Sequence, residues 1–307
     1  MARPPVVQVA GIRKTYGRTI AVDDVSFEVR DGEIFGLIGP NGAGKTTTME
    51  CVEGLRRPDA GTISVLGLDP VRDVYQLQRR IGVQLQQAQL QKRIKVWEAV
   101  HLWASLYGKS AAEAERLLEP LGLEAKRDAW FMTLSGGQKQ RLFVLLSLIN
   151  DPDLVFLDEL TTGLDPQARQ AIWELIRGIR ARGKTVFLTT HLMEEAERLC
   201  DTVAIIEHGR IIDLDSPSRL VERHCPERTV KLTTDAVDAL AHLQWIERVK
   251  TVKVEGSHFT ISGVGPELVA DVIDCLSANR IRVTDFRTIH PSLEDVFLKL
   301  TGHSIRD

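Results

Sequence analysis

Apolar residues follow two different spacings along this chain, and each spacing predicts a different kind of element. Residues 34–38, 154–157 and 186–188 are short apolar runs with the length of strands, whereas residues 167–182 form an amphipathic stretch with helical period. Fully apolar strands that alternate with helices are typical of a parallel sheet covered on both faces. The pattern therefore predicts an α/β fold.

Further elements are predicted before and between these runs. Shorter β-rich runs at residues 6–10 and 19–29 precede the first apolar strand. Residues 96–147 are predicted to be largely helical, and the clearest helical segments are 111–118 and 138–149. We thus expect strands at the beginning and a helical region in the middle.

The composition changes near residues 217–228, where two prolines and charges of both signs accumulate. Such a stretch is typical of a domain boundary, so we predict a first domain over residues 1–222 and a small domain over 228–307. The small domain should be α+β with ferredoxin-like order, because its predicted elements run strand, helix, hairpin, helix and strand at 229–232, 236–243, 249–262, 266–278 and 281–288. A last helix, at 292–300, is predicted between a serine cap and Gly302.

Charge and apolar content exclude several classes of protein. The 307 residues carry a net charge of −3, which supplies no basic field for nucleic-acid binding. The longest strongly apolar stretch, residues 142–149, is far shorter than the ~20 residues that cross a bilayer. We therefore expect no nucleic-acid partner, no direct membrane span and a cytosolic chain with reduced thiols.

A glycine-rich turn follows the first apolar strand and fits the phosphate-binding loop pattern. Its glycines let successive backbone N–H groups point at phosphate oxygens, and the next helix start favours negative charge. Lys45 would reach the β- and γ-phosphates, and the Thr46 hydroxyl would ligate Mg²⁺. ATP and Mg²⁺ are therefore the predicted cofactors, and the predicted nucleotide-binding residues here are Gly39, Pro40, Asn41, Gly42, Ala43, Gly44, Lys45, Thr46 and Thr47.

Two carboxylates, Asp158 and Glu159, end the second apolar strand, at the sheet edge where ligands of parallel sheets bind. Asp158 is predicted to hold Mg²⁺ through water, and Glu159 to orient or deprotonate an attacking water. An acidic pair after a strand is common in solvated loops as well. The phosphate-binding loop in the same chain favours the catalytic interpretation.

A second helix start with anion-binding character lies at residues 134–138, whose sequence is Leu-Ser-Gly-Gly-Gln. These five residues match, as they stand, the signature sequence of the ATP-binding cassette (ABC) family, which the first domain resembles. The resemblance implies a P-loop NTPase cassette with a RecA-like core, an antiparallel β subdomain and a helical subdomain at about residues 90–147. It adds four nucleotide-binding residues, Ser135, Gly136, Gly137 and Gln138.

The resemblance also implies roles for an aromatic and a histidine. Tyr16 resembles the aromatic that stacks on adenine, although an aromatic on a strand surface would look the same. His191 stands where the family places the catalytic histidine that contacts the γ-phosphate. One departure follows Glu159, because Leu160 replaces the proline usual in the family. We expect slower or looser positioning of Glu159 at worst.

Two further residues are implied by their order along the chain. Gln86 resembles the glutamine that contacts Mg²⁺ and the nucleotide and senses the transport partner, with Gln84 and Gln87 as competing candidates. Asp165 resembles the residue of a loop that communicates between the two sites of a dimer, although it could equally cap the following helix.

The family works as dimers attached to membrane permeases, so the resemblance implies a second ABC ATPase subunit and integral-membrane permease subunits as partners. Residues 86–97 are the predicted permease contact, and the chain is expected to be peripheral on the cytoplasmic side of the membrane. Residues 291–302 resemble the ending of ATPase subunits from bacterial multidrug and antibiotic-resistance exporters. An exporter of a drug, antibiotic or lipid-like molecule is therefore expected, with an importer ATPase or a soluble ABC ATPase as the alternatives.

Overall fold

The computed structural model of the chain describes residues 4–84, 89–236 and 238–302. Its contacts divide the chain into two compact units, and the division falls between Pro217 and Ser218. No helix in those three ranges combines the length and the apolar composition needed to cross a membrane.

The first unit contains strands and helices that alternate after two initial strands. The strands are β1 (Val7–Tyr16), β2 (Thr19–Val29), β3 (Ile34–Ile38), β4 (Ala60–Val65), β5 (Ile81–Gln84), β6 (Leu154–Asp158), β7 (Thr185–Thr190), β8 (Thr202–Glu207) and β9 (Arg210–Asp215). The helices are α1 (Lys45–Val52), α2 (Val74–Gln78), α3 (Val96–Leu106), α4 (Ala111–Glu115), α5 (Gly136–Leu148), α6 (Pro166–Ala181) and α7 (Met193–Leu199). Helix α8 (Pro217–His224) spans the division between the units.

The main sheet of the first unit has the strand order β5-β6-β7-β3-β8-β9 within the described residues. Five of these strands pair in parallel, as the apolar runs predict, so the α/β fold is confirmed. The edge strand β9 instead runs antiparallel to β8. The physical reason is the turn of His208 and Gly209, which both have positive φ and close a tight hairpin that only antiparallel strands can form.

Strands β3, β6 and β7 are buried at every residue, which explains their continuous apolar character. Phe35 and Phe187 on neighbouring strands have ring centroids 5.1 Å apart, and Phe27 and Phe156 pack against them. This core fixes the central strands, and the candidate site lies beyond their carboxyl ends.

Two smaller parts complete the first unit. Strands β2, β1 and β4 form an antiparallel three-stranded sheet. Helices α3, α4 and α5, with short 3₁₀ turns at Glu124–Lys126 and Phe131–Thr133, occupy the predicted helical region. Helix α4 ends at Glu115, before the predicted residue 118, and α5 begins at Gly136 because Ser135 caps it.

The second unit continues after α8 with β10 (Glu227–Thr233), α9 (Ala239–Leu243), β11 (Val249–Glu255), β12 (His258–Val264), α10 (Leu268–Ala278), β13 (Asp285–Ile289) and α11 (Leu293–Thr301). Its sheet has the order β11-β12-β10-β13 with every pairing antiparallel, which is the ferredoxin-like arrangement. Strand β13 starts four residues later than predicted, since Ile281 and Val283 pack against the core before the strand begins. Helix α11 has the predicted Ser292 cap and ends at Gly302.

Candidate nucleotide and catalytic site

The loop between β3 and α1 needs glycine at two positions. A Cβ on Gly39 would lie 2.2 Å from the carbonyl oxygen of Ile206, and one on Gly44 would lie 2.3 Å from that of Ala21. Gly44 caps α1 with a φ of 103°, which residues other than glycine rarely adopt. The loop is therefore held close to neighbouring backbone, with its N–H groups next to the start of a helix.

Lys45 is the first residue of α1 and is almost fully buried. Its Nζ donates hydrogen bonds to the carbonyl oxygens of Gly39 at 2.9 Å and Pro40 at 3.0 Å, and it lies 3.3 Å from Glu159 Oε1. Burial lowers the pKa of Lys45, while the charges of Glu159 and Asp158 oppose that change. The ammonium is thus folded back onto its own loop, where phosphate oxygens could take over its contacts.

Asp158, the last residue of β6, lies between two hydroxyls. Thr46 Oγ1 donates to Asp158 Oδ2 at 3.2 Å, and Thr189 Oγ1 makes a short hydrogen bond to Asp158 Oδ1. Burial raises the pKa of Asp158 and the nearby Glu159 charge adds to the rise, whereas these hydrogen bonds oppose it.

The Thr46 hydroxyl and the Asp158 carboxylate suit an Mg²⁺ ion that arrives with the nucleotide better than a metal ion bound permanently by the protein. A hydroxyl and a carboxylate oxygen are hard ligands of the kind that Mg²⁺ prefers when it keeps water and binds substrate phosphates. Among the described residues, no group of three or more His, Cys, Asp or Glu side chains is placed to hold a metal ion. Thr46 and Asp158 are therefore the residues that would contact Mg²⁺.

Glu159 and His191 meet because β6 and β7 are parallel neighbours, with Asp158 paired to Thr189. Glu159 Oε1 lies 3.5 Å from His191 Nδ1. Glu159 has a φ of 47°, and its N–H donates to Thr189 O at 3.1 Å. That hydrogen bond fixes the left-handed backbone without a proline at the next position, where the Leu160 side chain is buried. The effect of Leu160 on turnover remains a prediction.

The predicted signature and dimer loops lie side by side. Ser135 Oγ accepts from Gln138 N at 3.3 Å, and Ser135 N donates to Gln138 Oε1 at 3.0 Å, so these residues cap α5. A Cβ on Gly136 would lie 3.6 Å from Leu164, next to Asp165. Asp165 Oδ1 accepts from Ala168 N at 2.9 Å and caps α6, so the capping alternative is observed while the communication role remains a prediction.

Two other predicted residues are not tied to this site. The Tyr16 ring is partly exposed at the end of β1, with Arg56 5.4 Å and Lys14 5.9 Å from its centroid. Its stacking role remains a prediction. Gln86 lies outside the described residues, as does the competing Gln87, whereas Gln84 is buried at the end of β5.

Sequence reasoning missed two buried carboxyls, Glu53 and Glu195. Glu53 follows α1, and burial together with the Asp158 charge raises its pKa well above the ordinary value. Glu195 lies in the first turn of α7, and burial raises its pKa also. Neither residue belongs to a motif, and only the packing of the folded chain distinguishes them from surface acids.

Known proteins resemble this chain in sequence and in fold. The family model described as ABC transporter matches residues 22–162. The Nod factor export ATP-binding protein I of Ralstonia nicotianae is 41% identical over 308 residues, covering 99% of this chain and 96% of that protein. The protein of the same description from Rhizobium sp. (strain N33) is 41% identical, covering 97% of this chain and 98% of its own length. A solved structure of an ATP-binding subunit of an ABC transporter superposes with a TM-score of 0.64 at 31% identity, covering 71% of this chain and 92% of its own.

This chain therefore belongs to the ATP-binding subunits of ABC transporters. It has the P-loop cassette fold of that family, it binds ATP, and it is an ATPase.

Proposed function

We propose that this chain hydrolyses MgATP to drive an export permease, with the reaction at Lys45, Glu159 and His191. The observation that carries the proposal is the meeting of these side chains beyond the carboxyl ends of three adjacent strands. Ligands of parallel sheets bind at this edge. The Lys45 ammonium, which can pair with phosphate, and the His191 imidazole both lie within 3.5 Å of one oxygen of the Glu159 carboxylate, which can accept a proton from water.

ATP binds with its phosphates against the N–H groups of residues 41–46, at the positive end of α1. Lys45 leaves the carbonyl oxygens of its own loop and the Glu159 carboxylate, and pairs with the β- and γ-phosphates. Thr46 and Asp158 would hold the Mg²⁺ of the nucleotide, whose charge would balance the phosphates. Binding therefore frees the Glu159 carboxylate from its ion pair.

The Glu159 carboxylate, no longer paired with Lys45, accepts a proton from the attacking water as the water oxygen bonds to the γ-phosphorus. The bond from that phosphorus to the bridging β-phosphate oxygen breaks, and ADP leaves with the electron pair. His191 donates to the γ-phosphate from beside Glu159, and the proton held by Glu159 passes to solvent as ADP and inorganic phosphate leave. The hydrogen bond from Glu159 N to Thr189 O holds the carboxylate at the strand end, so its position follows from the sheet rather than from a loop. Replacing the Glu159 carboxylate by an amide removes the proton acceptor but keeps the side chain at the same place at the end of the strand.

A second ABC subunit completes each site in this proposal. The chain has one phosphate-binding loop and one signature sequence, and Ser135 and Gly136 are exposed at the start of α5. That helix start presents backbone N–H groups and the positive end of a dipole to a nucleotide bound by the other subunit. Dimer closure with ATP and opening after hydrolysis then form the working cycle.

A groove of about 650 Å³ on the first unit is the proposed docking site of the permease. Its lining mixes polar and apolar side chains, and among the apolar ones Tyr75 is 83% and Leu106 is 71% exposed. Large exposed apolar groups that line one groove are typical of an interaction surface, and an amphipathic permease helix fits its chemistry. Of the predicted contact at residues 86–97, Gln89 and Leu90 line this groove.

Export is the proposed direction because the relatives described as Nod factor export proteins match both units of the chain, over 97–99% of its length. Their description supports export and does not support a multidrug or antibiotic substrate, so the substrate stays a prediction. The permease supplies the membrane helices, and this subunit is peripheral on the cytoplasmic side.

Co-purification tests the assembly. The full chain is expressed with the permease encoded by a neighbouring reading frame, and the complex is isolated from solubilised membranes. We expect both proteins together and an ATPase rate that requires Mg²⁺. Co-sedimentation with ribosomes or DNA, without the permease, would contradict the proposal and favour a soluble ABC ATPase. Accumulation of test compounds in inverted vesicles given external MgATP indicates export, and their ATP-driven loss from preloaded vesicles indicates import.

A further inference from the structure

Glu195 has a carboxyl group that the proposed chemistry does not use and that the fold nevertheless buries, with 1% of the residue exposed. Its Oε1 accepts hydrogen bonds from Thr161 Oγ1 at 2.9 Å and from Trp173 Nε1 at 3.1 Å. Both donors are buried as well. Burying a carboxyl costs free energy unless it is well hydrogen-bonded. The contacts of Glu195 with Thr161 and Trp173, here called the junction, therefore suggest a functional role.

The junction joins the three segments that follow the proposed functional residues. Thr161 is two residues after Glu159, in the turn that leads to residues 163–165. Trp173 lies on α6, the helix capped by Asp165. Glu195 lies in the first turn of α7, which starts two residues after His191. One Glu195 oxygen therefore links three segments. They are the turn after Glu159 (the base turn), helix α6, and the segment after His191 (the histidine segment).

We propose that Glu195 is a positioning residue that sets the relative placement of Glu159 and His191. The proposal rests on the catalytic roles given to Glu159 and His191 above. Neither Glu195 oxygen needs to touch the nucleotide. Its contribution is to keep the proton acceptor and the imidazole at a fixed separation while the dimer interface closes and opens.

The electrostatics of the junction agree with this role. Burial raises the pKa of Glu195, and the hydrogen bonds from Thr161 and Trp173 oppose the rise, as does the charge of Arg169. Thr190, which immediately precedes His191, accepts a hydrogen bond from Leu192 N at 3.0 Å. Glu195 itself lies four residues after His191, so the segment that follows the histidine carries the carboxyl directly.

A merely structural carboxyl would make the same contacts, and turnover separates the two cases. Thr161→Val and Trp173→Phe each remove one donor from the same Glu195 oxygen, with little change of shape. Thr161 belongs to the base turn, whereas Trp173 belongs to a helix further along the chain. If the junction only supports the fold, the two variants lose kcat in proportion to their loss of thermal stability.

The test compares Glu195→Leu, Glu195→Gln, Thr161→Val and Trp173→Phe in the full chain. We expect Glu195→Leu and Thr161→Val to lower kcat about tenfold, because small misplacements of catalytic groups are costly, while the Kd for MgATP changes less than twofold. Glu195→Gln keeps the acceptor oxygen and should stay within about threefold of the wild-type kcat, as should Trp173→Phe.

Equal kcat losses in Thr161→Val and Trp173→Phe, or losses that track the melting temperature in all four variants, would overturn the proposal. Glu159→Gln is measured in parallel. If Glu159→Gln stops hydrolysis and Glu195→Leu does not slow it, only the positioning role fails. If Glu159→Gln hydrolyses ATP normally, the proposed catalytic assignment itself fails.

Discussion

Lys45 Nζ lies 3.3 Å from Glu159 Oε1, so the proposed phosphate ligand and the proposed base form an ion pair. Both side chains are buried, where charges interact strongly and an unpaired charge is costly. In the proposed function, the phosphates of ATP replace Glu159 as the partner of Lys45. Nucleotide binding would then release the proposed base from its ion pair.

Loss of the lysine should weaken nucleotide binding. Lys45→Ala removes the charge that pairs with the phosphates and leaves Glu159 buried beside them, so we expect the Kd for ATP to rise at least about tenfold. Isothermal titration calorimetry measures this. Lys184→Ala is the matched control, since Lys184 forms an ion pair with Asp151 at 2.7 Å outside the site. An unchanged affinity in Lys45→Ala would contradict the loop assignment.

Asp158→Asn tests the Mg²⁺ contact. The amide cannot supply the carboxylate charge, so the Mg²⁺ concentration for half-maximal hydrolysis should rise about tenfold. ATP binding measured without Mg²⁺ should change little, because Lys45 and the loop N–H groups are retained. A variant that needs no more Mg²⁺ than the wild type would exclude Asp158 from metal binding.

Glu53→Gln tests whether the ionised, buried Glu53 carboxylate lowers the free energy of unfolding. The pKa of Glu53 is raised well above its ordinary value of 4.5, so the folded chain binds a proton more tightly there than the unfolded chain. Stability then falls as the pH rises from 4.5 through the folded pKa. We expect Glu53→Gln to melt at a higher temperature than the wild type at pH 8, with the difference shrinking toward pH 4.5.

Differential scanning calorimetry from pH 4.5 to pH 8 measures this difference. Glu50→Gln is the matched control, because Glu50 lies on the same helix with its carboxylate at the surface, paired to Arg56. A pH-independent difference for Glu53→Gln would mean that the carboxyl is already ionised without penalty in the folded chain.

Leu106→Glu tests the docking groove. A charge among its apolar lining should reduce co-purification with the permease at least about tenfold, because burying an unpaired carboxylate at an interface is costly. The basal ATPase of the isolated chain should remain within about twofold, since the Leu106 side chain is 71% exposed and lines the groove rather than the loop. Trp245→Glu is the control, as Trp245 is 82% exposed on the second unit. Permease capture at the wild-type level by Leu106→Glu would contradict docking here.

Local signals predicted much of the fold. Strand β3 begins and ends at the predicted residues because its five positions are all buried, and the glycine loop after it is dictated by backbone crowding at Gly39 and Gly44. The antiparallel β9 was missed because its direction depends on the two-residue turn before it, not on its own pattern. Boundaries such as the end of α4 depend on packing that periodicity does not record.

The members of the candidate site could be proposed from the sequence one by one, but their arrangement could not. Motifs identified Lys45, Glu159 and His191, whereas their mutual distances follow from the order in which β6, β7 and β3 lie in the sheet. Burial of Glu195 depends on the approach of α6 to α7, which no spacing in the sequence encodes. The sequence therefore predicts which residues could carry the reaction, whereas supporting residues such as Glu195 are recognised only from the tertiary structure.

The most direct test of the account is single-turnover hydrolysis by Glu159→Gln, beside the wild type and the surface control Glu194→Gln. Glu194 pairs with Arg198 on an exposed helix face, so its loss should leave turnover unchanged. The account predicts that Glu159→Gln binds MgATP with wild-type affinity, hydrolyses it at least about 100-fold more slowly and accumulates as an ATP-loaded dimer. Hydrolysis by Glu159→Gln at the wild-type rate would contradict it.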